Sequence, residues 1–355
     1  MRVGVNTLFR GRAVGMGRYT DALFALESER LPVESIAPRR SGGPWRKLLF
    51  EQFGAPRAAR RMGVDLLHYP YFAAPVAATV PVIATIHDLV PLLLPAYRGS
   101  PFVRAYTFLQ ARACARARLI LTDSAASMRD ILRHLGIPAA RVRVVPLGID
   151  DRYHPRDDAT VREFRRVAGL PERYIVYAGG LDVRKNVHGL LRGYARARRE
   201  HDLRVDLAVT GDPDRGGPLF PAIREEVERL GIGAHVCLLG AVDDRTLPVL
   251  LAAATLAAYP SMYEGFGLPV LEAMASGVPV ICSDRSALPE VAGDVALLFD
   301  PTDEGAIAAA LARGVEDRQF RERAREEGVA RARTFTWERT RRLTGAAYRD
   351  ALGET

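Results

Sequence analysis

The chain has 355 residues, of which 48% are hydrophobic and 26% charged, and its formal charge is +8. That length suits two domains, and the composition excludes low-complexity, collagenous and disulfide-stapled classes. The most apolar stretch, "VPVIATIHDLVPLLLP", is broken by His87, Asp88 and several prolines, so it is not expected to span a bilayer. The opening "MRVGVNTLFR" lacks the apolar core of a signal peptide. A cytoplasmic protein is expected, with Cys114, Cys237 and Cys282 as thiols that match no metal or redox spacing.

Charge is unevenly placed. Residues 1–150 hold 21 Lys+Arg against 10 Asp+Glu, a formal +11, whereas residues 151–355 hold 29 against 32, a formal −3. The first part therefore attracts anions. Within it, "GPWRKLLFEQFGAPRAARR" (43–61) sets Trp45, Leu48, Leu49 and Phe50 beside Arg46 and Lys47. This patch either faces an anionic acceptor or bilayer surface, peripherally, or packs in the core of its domain. No nucleic-acid partner is expected. Of the 50 basic residues only Lys47 and Lys185 are lysine, which draws attention to both.

In chain order, "RVGVNT", "VDLLHYP", "VPVIATIHD", "ARLILTDS" and "VRVVPLG" read as buried strands, with helices near 17–30, 45–62, 101–117 and 124–135. From about 173 onward "RYIVYAGG", "VDLAVTGD", "HVCLLG", "LAAYPS", "VPVICS" and "VALLFD" read as strands, with helices near 187–200, 218–231, 244–254, 269–276 and 303–315. Such alternation predicts an α/β protein with two parallel sheets, each flanked by helices. The boundary is expected near "VPLGIDDRYHP" (146–155), and ligands are expected in a cleft, beyond the carboxyl ends of the strands.

Four stretches lie at such ends. In "YPSMYEGFGLPVLEAMASGVPVICS", Glu264 falls in the loop after a strand, and Glu272 in the first turn or so of the helix that Pro269 opens. Gly265 and Gly267 let backbone approach a ligand, and the free amides from Gly267 onward favour an anion or a hydroxyl-rich group. In "YAGGLDVRKN", two glycines precede Arg184 and Lys185 at a helix start, a pattern suited to a diphosphate. In "VGMGRYT", Gly15 and Gly17 read as a flexible glycine loop; the third glycine and the later acid of a dinucleotide fingerprint are missing. In "TIHDLVP", His87 follows a strand and is a candidate for the cleft.

Together these stretches resemble the retaining, nucleotide-sugar-dependent glycosyltransferases of family 4, with the GT-B fold of two Rossmann-like parallel-sheet domains facing a cleft. "GMGRYT", "TIHDLVP", "LTDSAAS", "VVPLGID" and "GGLDVRKN" are similar to family segments, and "SMYEGFGLPVLEAMASGVPVI" resembles its E-x7-E motif. "SALPEVAGDVALLFDP" continues the likeness, and "FTWERTRRLTGAAYRDAL" resembles the last helix, which crosses back onto the first domain. The resemblance implies an acceptor-binding domain of 1–150 plus about 336–355, and a donor-binding domain of 151–335.

It also implies roles. Glu264 would contact the donor sugar and steady positive charge at its anomeric carbon. Gly265, Phe266, Gly267 and Leu268 would line sugar and phosphate, the last three with backbone amides. Glu272 would bind the ribose, and Arg184 and Lys185 would neutralise the diphosphate. His87 would reach the donor sugar from the acceptor domain, Gly15 and Gly17 would face the donor, and Asp244 would lie near the base. Many members carry an arginine where this chain has Gly180. The implied activity moves a hexose or deoxyhexose from a nucleoside-diphosphate sugar, GDP-mannose by preference, to a saccharide, lipid-linked or small-molecule acceptor. No cofactor or metal is expected. The alternatives are a sugar-nucleotide epimerase of similar fold, a nicotinamide-dependent oxidoreductase and a silent sugar-nucleotide binder.

Overall fold

The computed structural model describes residues 1–11, 15–24, 31–38 and 42–353. They group into two compact units, Met1–Gly148 with the C-terminal segment from Thr336, and Ile149–Phe335.

The first unit is built on six parallel strands: β1 (Val3–Asn6), β2 (Val33–Ile36), β3 (Leu66–Tyr69), β4 (Val82–Thr85), β5 (Leu119–Thr122) and β6 (Val142–Val144). Their order is β2-β1-β3-β4-β5-β6. β1, β3, β4 and β5 are buried at every position, as near-continuous apolar runs in a helix-covered parallel sheet must be. β2, "VESI", sits at the edge with Glu34 and Ser35 partly in solvent, and the strand reading of the sequence passes over it. The helix from Pro44 to Met62 is one run with a π-turn, Phe50–Gly54, in its middle. Helix Ala125–Leu135 is capped by Ser124, whose hydroxyl accepts from Ser127 N, and ends on Gly136 in the left-handed conformation.

The last helix, Trp337–Leu352, packs into this unit. Thr340, Thr344 and Tyr348 along it are wholly buried. Tyr348 Oη lies 2.7 Å from His68 Nδ1, and Thr340 Oγ1 donates to Pro146 O at 2.7 Å. Burial holds His68 low, at about 3, so its imidazole is neutral. Close approach at the start of this helix requires glycine at 148: a Cβ there would lie 2.2 Å from Trp337 N. Backbone cannot give way as a side chain does. Gly148→Ala is therefore expected to destabilise the first unit by about 2–3 kcal/mol, read by urea unfolding, with an unchanged midpoint counting against this packing.

The second unit carries β7 (Tyr174–Tyr177), β8 (Asp206–Thr210), β9 (Val236–Gly240), β10 (Leu256–Tyr259), β11 (Val280–Ser283) and β12 (Leu297–Phe299), all parallel, in the order β12-β11-β10-β7-β8-β9. The chain winds from β7 toward β9 on one side and from β10 toward β12 on the other. The strand order reverses between β7 and β10, so the crevice beyond the carboxyl ends of these two strands is where an open sheet of this topology takes ligand.

Candidate functional site

The loops leaving β7 and β10 carry the predicted residues. After β7 the chain passes Gly179 and Gly180 into a 3₁₀ turn, Val183–Lys185, and then helix Val187–Glu200. Asn186 between them is left-handed, at φ 54°, and its side-chain amide is anchored on Pro301 O at 2.7 Å. After β10 the loop ends at Gly267, whose φ of 116° starts helix Leu268–Ala275. A Cβ on Gly267 would meet Leu288 Cδ2 at 2.7 Å, so both conformation and space call for glycine.

Glu264 joins the two loops. Lys185 Nζ lies 2.5 Å and Ser261 Oγ 2.7 Å from its Oε1, and Arg184 Nη1 lies 2.8 Å from its Oε2. Its backbone N donates to Ser286 Oγ at 2.8 Å. Arg184 also reaches Asp182 Oδ1 at 3.2 Å and Tyr263 O at 3.2 Å. Glu264 and Lys185 are each 8% exposed, so this is a buried ion pair with its lone pairs satisfied. Burial pushes the Glu264 carboxyl up, but the charges of Lys185 and then Arg184 overcome it and hold the group at about 2. Glu264 is thus ionised at every working pH.

Glu272 stands close to where the sequence places it: it is the fifth residue of its helix, at the start of the second turn. It is 7% exposed. Burial and then the Glu272 charge raise the hydroxyl of Tyr259, the last residue of β10, well above the usual tyrosine range. Tyr259 Oη is buried without a hydrogen-bond partner, at the carboxyl end of a strand that borders the switch point. Gly265 and Phe266 are buried, and the Phe266 ring packs edge-on against Phe335 at 5.8 Å. What Phe266 offers a ligand is therefore its backbone. Leu268 is the half-buried first residue of the helix. At Gly180 a Cβ would come within 3.2 Å of Asp182 Oδ2, the anion beside Arg184.

Asp244 stands apart from this cluster, in the loop after the edge strand β9, 3.7 Å from Arg152 Nη1. Its neighbour Asp243 accepts from the Arg245 and Thr246 amides, both at 2.8 Å, in the turn before helix Leu247–Ala252.

Gly15, Gly17 and His87 belong to the first unit. Gly15 and Gly17 lie in the first turn of helix Gly15–Phe24 and form no flexible loop; Val14 lies outside the described residues. The helix wins because Tyr19, Thr20 and Leu23 bury one face, and the Thr20 hydroxyl bonds back to Met16 O at 2.7 Å. His87 Nδ1 lies 2.7 Å from Asp123 Oδ2 and its Nε2 lies 3.2 Å from Pro70 O. Burial pushes this imidazole down, yet the Asp123 charge lifts it above the usual histidine range. On Asp123 burial pushes up and His87 pulls back, with the net upward. The two shifts pull the pair in opposite senses. The geometry decides it: acceptors face both ring nitrogens, an arrangement only the imidazolium satisfies.

Sequence reasoning missed the residues that hold these groups, namely Ser261, Ser286 and Asp182 around Glu264 and Arg184, and Asp123 behind His87. Ser261 sits three residues before Glu264, a spacing that could have signalled it. Among the described residues no cluster of His, Cys, Asp and Glu could hold a metal ion, and no helix is long and apolar enough to cross a membrane.

Residues 16–153 match the family model described as Glycosyltransferase Family 4, and residues 161–331 match Glycosyl transferases group 1. The chain is 37% identical to O-antigen chain mannosyltransferase B of Escherichia coli over 268 residues, 75% of this chain and 70% of that protein. It belongs to the family 4 glycosyltransferases. The glycosyltransferase is also 33% identical to the MMP alpha-(1->4)-mannosyltransferase of Mycolicibacterium hassiacum, over 82% of this chain and 69% of that one. Its fold matches sucrose-phosphate synthase from Thermosynechococcus elongatus with a TM-score of 0.78 at 21% identity, covering 100% of both chains. These likenesses place both units in the GT-B fold.

Proposed function

We propose that this glycosyltransferase moves a hexosyl or deoxyhexosyl group, mannosyl by preference, from a nucleoside-diphosphate sugar to a hydroxyl of a saccharide, lipid-linked or small-molecule acceptor, with retention at the anomeric carbon. The observation that carries it is the Glu264 carboxylate bonded to both Lys185 and Arg184 at the switch point of the second unit. Two relatives at 33% identity or above are mannosyltransferases, which supports the donor.

In this reading the bond from the anomeric carbon to the phosphate oxygen breaks, and its electron pair leaves with the nucleoside diphosphate. Arg184, Lys185 and the amides from Gly267 onward stabilise that charge. The acceptor oxygen bonds to the anomeric carbon on the face the diphosphate leaves, and its proton passes to the departing phosphate. Glu264, ionised between its cations, faces the positive charge that develops on the sugar.

The test is a donor and acceptor panel with the anomeric configuration of the product read by NMR. Retention from a mannosyl donor supports the reading, and an inverted product sinks it. Incubating donor alone separates it from an epimerase, which would convert the sugar without acceptor. Because cations and helix amides supply the leaving-group stabilisation, transfer should persist in excess EDTA; loss that Mg²⁺ or Mn²⁺ restores would contradict this assignment.

A further inference from the structure

The basic stretch at 43–61 does not all face one way. Lys47 turns inward, its Nζ 4.9 Å from the Tyr106 ring centroid and 3.7 Å from the wholly buried Glu51. Leu48 and Phe50 are half-buried. Trp45, Leu49 and Phe53, spaced four apart on the same helical run, are instead 66%, 57% and 52% exposed. The Arg57 guanidinium sits 5.5 Å from the Phe53 ring centroid and extends this line.

A second stripe runs beside the first. The Trp45 ring packs on Phe102 at 4.7 Å, and Phe102 belongs to helix Pro101–Cys114. On that helix Arg104, Phe108 and Arg112 follow one another at intervals of four, so they share a face. Phe108 is 61% exposed, and the Arg112 guanidinium is 5.1 Å from its ring centroid. A cavity of about 430 Å³ beside this helix is lined by Leu92 and Leu135 together with Arg98, Arg104, Phe108, Arg112 and His134. None of its lining residues is acidic. Helix Pro101–Cys114 carries no carboxylate, and the only one on the Pro44–Met62 run is Glu51, which is buried. Among the described residues, Arg98, Arg104 and Arg112 enter no ion pair.

Exposed aromatic rings and a leucine, next to cations without counter-charge among the described residues, are matched by a surface that is apolar below and anionic above. A protein partner that covers the rings alone would leave the arginines unpaired, and a free anion would leave the rings in water. We infer that this face of the first unit docks on a bilayer surface carrying anionic phospholipid. Trp45, Leu49, Phe53 and Phe108 enter the headgroup boundary, and Arg98, Arg104 and Arg112 take lipid phosphates at the cavity mouth. The inference is independent of the sugar-transfer reading.

The experiment is flotation of the full chain with phosphatidylglycerol–phosphatidylcholine vesicles and with phosphatidylcholine alone, at low and physiological salt. Binding should require phosphatidylglycerol and weaken as salt rises. Trp45→Ser/Leu49→Ser/Phe53→Ser, and separately Arg104→Ala/Arg112→Ala, should each weaken partitioning about tenfold or more while circular dichroism and the melting temperature stay those of the parent. The arginine pair guards against a triple variant that misfolds. Absence of binding at low salt, equal binding to both vesicle types, or variants that float like the parent would overturn the inference. So would a dimer in light scattering that the triple variant dissolves, since a second copy would then be the occupant.

Discussion

Glu264→Gln should hold nucleoside diphosphate at least as tightly as the parent chain while turning over about 10²–10³-fold more slowly. The parent site is electrically balanced without ligand, because Glu264 and Asp182 answer Lys185 and Arg184. Glutamine keeps the shape and removes one negative charge. A diphosphate then meets two cations held by one anion, so ground-state binding is kept or improved. On the proposed reading, what is lost is the charge opposite the anomeric carbon, which matters only as the bond breaks, so the loss is expected to fall on kcat. The same change leaves a buried lysine without its counter-charge, which should destabilise the free protein by about 3 kcal/mol. Added diphosphate should recover part of that as a thermal shift.

The pH dependence of stability checks the origin of that loss. Glu264 is depressed from 4.5 to about 2 in the folded chain. A depressed acid contributes stability fully above its unfolded value and loses it as pH falls through the folded one. The gap between parent and Glu264→Gln should therefore be flat above about pH 5 and close between about pH 4.5 and 2. Calorimetry of nucleotide binding, steady-state kinetics with saturating acceptor, and denaturation across pH read the three parts. A variant that loses nucleotide affinity tenfold yet keeps its turnover would show that Glu264 grips the nucleotide and not the transferred sugar.

Much of the fold is written in the strands. Runs such as "LILT" and "YIVY" are apolar or nearly so at every position because helices cover both faces of a parallel sheet, and short runs of this kind between glycines and helical stretches suit few arrangements besides it. β2 is invisible by the same logic: an edge strand keeps Glu34 and Ser35 partly wet and loses the signal. Helix Arg318–Ala332 escapes notice because its buried line is Phe320, Ala324, Gly328 and Ala332, three of them too small to register as hydrophobic periodicity. Helix Asp158–Ala168 buries only Val161. The π-turn at Phe50–Gly54 shifts which residues of 43–61 face outward, and no fixed period anticipates that shift.

The site is legible in its parts and not in its pairing. Arg184, Lys185 and Glu264 announce themselves by residue type, glycine context and place after a strand. That one carboxylate clamps both cations is a contact across 79 and 80 residues, set by β7 and β10 lying side by side. Local pattern carries no information on such neighbours. Gly15 and Gly17 illustrate the converse, since glycines that look like a loop are drawn into a helix by the burial of Tyr19 and Leu23.

Glu272→Gln should act on affinity where Glu264→Gln acts on rate. Glu272 lies in the second turn of a helix that starts at the crevice, 7% exposed, with its charge felt at Tyr259. A rigid, mostly buried carboxylate there suits the two hydroxyls of a ribose, which take no part in bond cleavage. Hydrogen bonds to them are equal in ground and transition state, so their loss raises KM and leaves kcat nearly unchanged. A hydrogen bond to a charged group is worth about 1.5–3 kcal/mol, which sets the expected rise at roughly ten- to a hundredfold. Glutamine still accepts and donates, so the lower end is expected for Glu272→Gln and the upper end for Glu272→Ala. The discriminating comparison is the ribonucleoside diphosphate against its 2′-deoxy analogue, by calorimetry. The parent chain should prefer the ribose form, and both variants should lose most of that preference. A preference that survives in Glu272→Ala would move the ribose contact to another residue and leave Glu272 a structural acid of its helix.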